Sequence, residues 1–119
     1  MAKKVFIIED DDSIFDVMSI VLDSERYSVL RFDEKKEFIT QIIETSPHLI
    51  IMDIHYKNLS AENMILQLRK NEQCVKIPLV ISSGDANLDK ICRKYKISGC
   101  LKKPFDMIAL INIVKSNIL

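Results

Sequence analysis

Glu9 and Asp10 follow the apolar run "VFII", Asp53 closes "HLIIMD", Ser82 and Ser83 end "IPLVISS", and Lys102 and Lys103 precede Pro104 in "GCLKKPF". Three carboxylates, a hydroxyl and an ammonium at the ends of separate apolar runs are the parts needed to handle a phosphoryl group. Carboxylates attract a hard divalent cation, and Mg²⁺ typically takes one or two of them together with waters and phosphate oxygens. One carboxylate can act as nucleophile, while a hydroxyl and an ammonium neutralise charge on the group in transit. The unbroken acids Glu9 to Asp12 must be offset by something, because like charges about 4 Å apart repel by ~4 kcal/mol at the effective dielectric of a partly buried site. A cation between Glu9, Asp10 and Asp53 would do so for the first two. Asp11, Asp12 and Ser13 instead stand where a helix begins, and acids there gain roughly 0.3 to 1 kcal/mol from the helix dipole.

The elements that would position these groups follow from hydrophobic periodicity. Short apolar runs at 5–8, 27–32, 49–52, 78–83 and 99–101 predict five strands. Between them, Ile14, Val17, Met18, Val21 and Leu22 repeat at helical spacing. So do Phe38, Ile39, Ile42 and Ile43, then Met64, Ile65 and Leu68, then Leu88, Ile91, Cys92 and Tyr95, and last Met107, Leu110, Ile111 and Val114. Five strand–helix units imply a parallel α/β sheet with helices on both faces. Ligands in such sheets bind beyond the carboxyl ends of the strands, which is where Glu9, Asp10, Asp53, the serines and the lysines fall. The second strand ends without an evident reactive group. Strand alternation lets one serine face the pocket, and the register favours Ser83; Lys102 reads as a solvated charge.

In order and spacing, Glu9–Asp10, Asp53, Ser83 and Lys103 resemble the response-regulator receiver domain over essentially the whole chain. The resemblance implies a flavodoxin-like (βα)5 fold with strand order 2-1-3-4-5, spanning 1–119 as one domain. It implies that Asp53 accepts a phosphoryl group from a histidine kinase or histidine phosphotransferase. Asp10 and Asp53 would ligate Mg²⁺ (or Mn²⁺) directly, Glu9 through water, and the backbone carbonyl of His55 would complete the protein ligands. Lys103 would pair with phosphoryl oxygens, and Ser83 would move toward them on activation. A downstream protein partner is expected on the face formed by the fourth helix, fifth strand and fifth helix.

Four residues at three places depart from the family pattern. Lys57 replaces the usual proline four residues after the nucleophile, and Ser60–Ala61 replaces an Asp-Gly pair, so that loop is expected to be more mobile or differently shaped. Cys100 replaces the aromatic residue coupled to the switch and is too small to report Ser83's movement by changing rotamer. Output is then expected to run through Gly84, Asp85 and the following two residues into the fourth helix. His55 and Asp85 would flank the path of a hydrolytic water and tune the phosphoryl lifetime.

The 119 residues balance 17 basic against 17 acidic side chains, with 48% hydrophobic and 29% charged composition. That suits one globular domain and gives no general attraction to nucleic acid or anionic membrane. No run approaches the ~20 apolar residues of a membrane span, and the start is no signal peptide, so the expected location is cytoplasmic. Cys74, Cys92 and Cys100 lack CxxC spacing and read as small hydrophobes rather than a disulfide framework or zinc site. The basic run Lys90, Arg93, Lys94 and Lys96 reads as a solvated helix face. Two glycines cannot build a GxGxxG or P-loop nucleotide site. An interaction module that works without phosphorylation, or an Mg²⁺-dependent phosphohydrolase, stay open as alternatives.

Overall fold

The computed structural model describes residues 2–118, so both end residues of the expected domain lie outside it. Five strands alternate with five helices: β1 (Lys4–Ile8), α1 (Asp12–Ser24), β2 (Ser28–Arg31), α2 (Phe38–Thr45), β3 (Leu49–Asp53), α3 (Ala61–Lys70), β4 (Leu79–Ser83), α4 (Leu88–Tyr95), β5 (Gly99–Lys102) and α5 (Met107–Asn117). All pairings are parallel, in the order β2-β1-β3-β4-β5. The expected topology is thereby met. The central strands β3 and β4 are buried at every position, which explains their unbroken apolar sequences: helices cover both of their faces.

Alternation divides the core in two. Phe6, Ile8, Ile50, Met52 and Ile81 pack under α2, α3 and α4 against Phe38, Ile42, Ile65, Leu68 and Leu88. Val5, Ile7, Leu49, Ile51 and Val80 face α1 and α5 through Met18, Leu22, Leu110 and Val114. Each helix thus buries one stripe, and none among the described residues is long and apolar enough to cross a membrane.

Local chemistry fixes where helices start. Asp11, Ser60 and Asp106 cap α1, α3 and α5 by accepting from the N–H groups of Ile14, Asn63 and Ala109, so Asp11 has the structural role its position suggested. His48 joins β1 to β3: its Nδ1 accepts from Lys4 N at 3.0 Å, and its own N–H donates to Lys4 O at 2.9 Å.

Two expectations are corrected. Cys92 and Cys100 are joined in a disulfide, with Cα atoms 6.6 Å apart; only Cys74 is a free, buried thiol. A spacing of eight residues hid the pairing, because the chain leaves α4, turns at Lys96 (φ 52°) and returns as β5 directly beneath the helix. The end of β2 is also not inert. Arg31 there donates to the backbone oxygen of Glu9 at 2.9 Å, pairs with Asp12 at 2.8 Å and lies over the Phe15 ring at 4.4 Å.

Candidate functional site

Glu9 lies just past β1, Asp53 ends β3, and Lys103 follows β5, so parallel pairing carries all three to one edge. Lys103 Nζ stands 2.7 Å from Glu9 Oε1 and 3.3 Å from Asp53 Oδ2. Glu9 and Asp53 are 2% and 7% exposed, and the lysine side chain 19%. The second oxygens of Glu9 and Asp53, and one oxygen of Asp10, accept from backbone. Glu9 Oε2 accepts from Asp11 N at 3.2 Å, Asp53 Oδ1 from His55 N at 3.0 Å, and Asp10 Oδ2 from Lys57 N at 3.1 Å. The peptide between Lys103 and Pro104 is cis.

Burial raises the pKa of Glu9, and the nearby Asp53 charge adds to it; the hydrogen bonds from Lys103 and the Asp11 N–H oppose this without cancelling it. For Lys103, burial works against the ammonium, but the hydrogen bond and charge of Glu9, followed by those of Asp53, outweigh it and raise the pKa. The site therefore keeps its lysine charged and carries a surplus of acid.

One oxygen each from Glu9, Asp10 and Asp53 can be chosen so that all lie within 4.8 Å of one another. An all-oxygen set of carboxylates suits a hard ion such as Mg²⁺ or Mn²⁺ rather than a thiophilic or imidazole-seeking metal. The excess of acid over the one ammonium gives such an ion something to neutralise.

The remaining residues expected in the site surround this centre. Ser83 is wholly buried; its Oγ accepts from Asp85 N at 2.9 Å, and its carbonyl accepts from Lys103 N at 2.8 Å. It is thus tied to the loop before α4 on one side and to the site lysine on the other. Ser82 pairs in register with Asp53 and receives Ile54 N on its carbonyl. The His55 ring is exposed, its Nε2 lying 3.5 Å from Asp85 Oδ2. Gly84 and Asp85 form the loop entering α4, whereas Cys100 lies on the neighbouring strand, in register with Ile81 and away from the carboxylates.

Sequence reasoning missed two contributors. Arg31 braces the Glu9 backbone, and the signal available was a lone cation at a strand end opposite an acidic run. Lys57 acts through its backbone: a proline at this position has no N–H, so the departure itself supplies the tie to Asp10. The left-handed turn in the same loop falls on Asn58 (φ 60°), a residue type that tolerates it, so glycine is not required at Ala61.

Comparison with known proteins agrees with this geometry. The family model of the response regulator receiver domain matches residues 5–115. The transcriptional regulatory protein TdiR of Thauera aromatica is 27% identical over 116 residues, covering 93% of this chain and 50% of TdiR. The chain therefore spans half the length of this curated relative. A response regulator of Chloroflexus aurantiacus superposes with a TM-score of 0.86 at 22% identity, covering 98% of this chain and 97% of that one. The chemotaxis response regulator CheY4 of Vibrio cholerae gives 0.86 at 19% identity, over 99% and 100% of the two chains. With a family model matched along nearly its whole length, and with the fold and acidic edge described above, this chain belongs to the response regulator receiver domain family.

Proposed function

We propose that the chain is a cytoplasmic phospho-accepting switch, one domain over 1–119, in which Asp53 takes a phosphoryl group from the phosphohistidine of a histidine kinase or histidine phosphotransferase. The observation that carries this reading is the contact of one ammonium, Lys103, with two buried carboxylates, Glu9 and Asp53. An oxygen of Asp53 attacks phosphorus, the P–N bond to the donor imidazole breaks, and its electron pair stays on the imidazole nitrogen. His55 N–H already orients the Asp53 carboxylate, and Lys103 is close enough to follow the phosphoryl oxygens as they arrive. Asp10 and Asp53 would hold Mg²⁺ or Mn²⁺ directly, Glu9 through water, with the His55 carbonyl as a further ligand; the bound ion supplies positive charge beside the transferring group.

Ser83 answers the new charge by donating its hydroxyl to a phosphoryl oxygen. Because Asp85 N–H rests on the same Oγ, that movement draws on the loop entering α4. The signal then reaches a protein partner on the face of α4, β5 and α5. His55 and Asp85 stand at the mouth of the site and set how fast water removes the phosphoryl group. The donor docks beside the site, in the apolar recess of about 440 Å³ lined by Ile14, Val17, Lys103, Pro104 and Phe105. Exposed Ile20, Met107 and Ile108 extend the apolar surface of α1 and α5.

Incubation with a small phosphodonor and Mg²⁺, followed by intact mass, tests the assignment. One phosphoryl group is expected, absent in Asp53→Asn. No labelling would leave an interaction module, and multiple turnover would indicate a phosphohydrolase.

A further inference from the structure

The switch described above needs α4 to be free to move, yet the structure bolts that helix to the sheet. Cys92 lies in the buried stripe of α4 and Cys100 in the middle of β5. Their bond, between residues eight apart in sequence, closes the segment 92–100 around the end of α4. Before its other end the loop that enters the helix is tied to β4 through Asp85 N and Ser83 Oγ, and Leu88 N donates to Asp85 O. The two fastenings thus flank the element that has to respond to the site.

We propose that Cys92 and Cys100 form a reversible thiol–disulfide site, oxidised by low-molecular-weight disulfides, and that the oxidised form holds α4 on β5 and restrains the loop 84–87. Cys92 is 6% exposed, whereas Cys100 is only partly covered, so Cys100 meets the oxidant first. Both line a recess of about 470 Å³, open to solvent and bordered by Arg93, Lys96 and Asp89. The two cations at its rim favour an anionic reactant such as a carboxylate-bearing disulfide. The Cys100 thiolate attacks one sulfur of that disulfide, forming a mixed disulfide and releasing the first thiolate. The Cys92 thiolate then attacks Cys100 sulfur and releases the second. The pair loses two electrons, the external disulfide gains them, and the two thiol protons end on the released thiols.

A disulfide inside a cytoplasmic protein is more often transient and redox-sensing than structural. That consideration, and the link from α4 to Asp53, rest on the proposed function; the thiol chemistry does not. Cys74 stays outside the reaction: it is buried in the core, and burial pushes its thiol pKa up.

The full chain is equilibrated in glutathione redox buffers, alkylated and weighed, and amide hydrogen exchange is followed in both states. We expect a two-electron interconversion confined to Cys92 and Cys100, with exchange across 84–95 slowed about fivefold or more on oxidation, at the low end of ordinary coupling between sites. Labelling of Asp53 by a small phosphodonor should slow by a similar factor, and C92S/C100S should behave as the reduced chain in both buffers. Thiols that stay reduced in oxidised glutathione, or exchange that is the same in both states, would overturn the inference. Exchange that changes while neither form labels would instead sink the phospho-acceptor reading and leave the redox site standing.

Discussion

Glu9, Asp53 and Lys103 bring three charged groups into contact beyond the ends of β1, β3 and β5, whereas Cys92 and Cys100 join two uncharged ones on the face beneath α4. The first region is costly to assemble. Two carboxylates lose most of their water for a single ammonium, and the raised pKa of Glu9 records the imbalance. The second asks for no charge burial and is closed by a covalent bond. A site for an incoming anion or cation needs uncompensated charge, so it stays electrostatically tense. The edge beneath α4 can be packed like ordinary core, and its freedom is then limited by links rather than by charge.

The largest expected effect comes from removing the one cation of the first region. Lys103→Met leaves Glu9 and Asp53 facing each other under cover, and stability at neutral pH should fall by about 2 kcal/mol, below the range for a fully buried pair because Nζ keeps some water. The raised pKa of Lys103 gives the sign: its contribution is complete below its ordinary 10.5 and is lost as pH rises through the higher folded value. Urea titrations should therefore show the deficit at pH 7 and a smaller one near pH 4, where Glu9 takes up a proton. An unchanged midpoint at pH 7 would mean that the ion contacts are not what holds the carboxylates in place.

Gly99→Ala tests uncharged packing instead, by crowding β5 on the face toward α5, opposite the one that carries Cys100. A Cβ at Gly99 would stand 3.0 Å from Val80 Cγ2, 3.1 Å from Ile113 Cδ1 and 3.2 Å from Asn117 Nδ2. Overpacking of this kind costs roughly 1 to 2 kcal/mol. The loss should not vary between pH 4 and 7, since nothing it touches titrates there; a pH-dependent loss would blur the contrast between charged and uncharged packing.

How much of this was legible in the sequence divides along the same line. Helical stripes such as Met18, Val21 and Leu22, and unbroken runs such as "LIIM", state burial directly, so a parallel sheet with an acidic edge could be anticipated, whereas the strand order rested on the resemblance to receiver domains. The identities of Glu9 and Asp53 were legible because acids closing apolar runs have few structural reasons to be there, and Lys103 was distinguished from Lys102 by the Pro104 that follows it. Arg31 and Lys57 were not, because the contacts that tie them to Glu9 and Asp10 run to or from the backbone, which every residue type carries and side-chain patterns do not display. The Cys92–Cys100 bond was hidden for another reason: it depends on the tight return from α4 to β5, a tertiary approach that spacing alone does not encode. The structure also gives Lys57 a contact at the place where loss of proline suggested a more mobile or differently shaped loop.

Glu9→Gln sharpens the contrast with a smaller effect. A raised carboxyl pKa means that the stability associated with Glu9 is complete below its ordinary 4.5 and is lost as pH rises through the folded value. Glutamine does not suffer that loss, and Lys103 retains Asp53 as a partner. The metal-free variant should therefore melt above the parent at pH 7, with the gap closing toward pH 4.5. Added Mg²⁺ should raise the parent's midpoint more than the variant's. A variant less stable at pH 7 would show that the Lys103–Glu9 contact outweighs the cost of burying the acid.

The smallest expected change in stability lies where the two regions meet, at Gly84. Its φ is not positive, and a Cβ there would touch only Lys103 Cβ and O at 4.0 Å, so alanine fits without strain. Removing backbone freedom from the unfolded chain should then stabilise by about 0.4 to 1 kcal/mol. Yet Gly84 joins Ser83, tied to Lys103 through the backbone, to Asp85, which rests on Ser83 Oγ. Stiffening that link should reduce the phosphorylation-dependent shifts of α4 amides while the yield of labelled Asp53 stays the same. If the α4 shifts survive Gly84→Ala at full size, the path between the regions does not run through this loop, and the contact of Lys103 N with Ser83 O into β5 becomes the remaining connection between them.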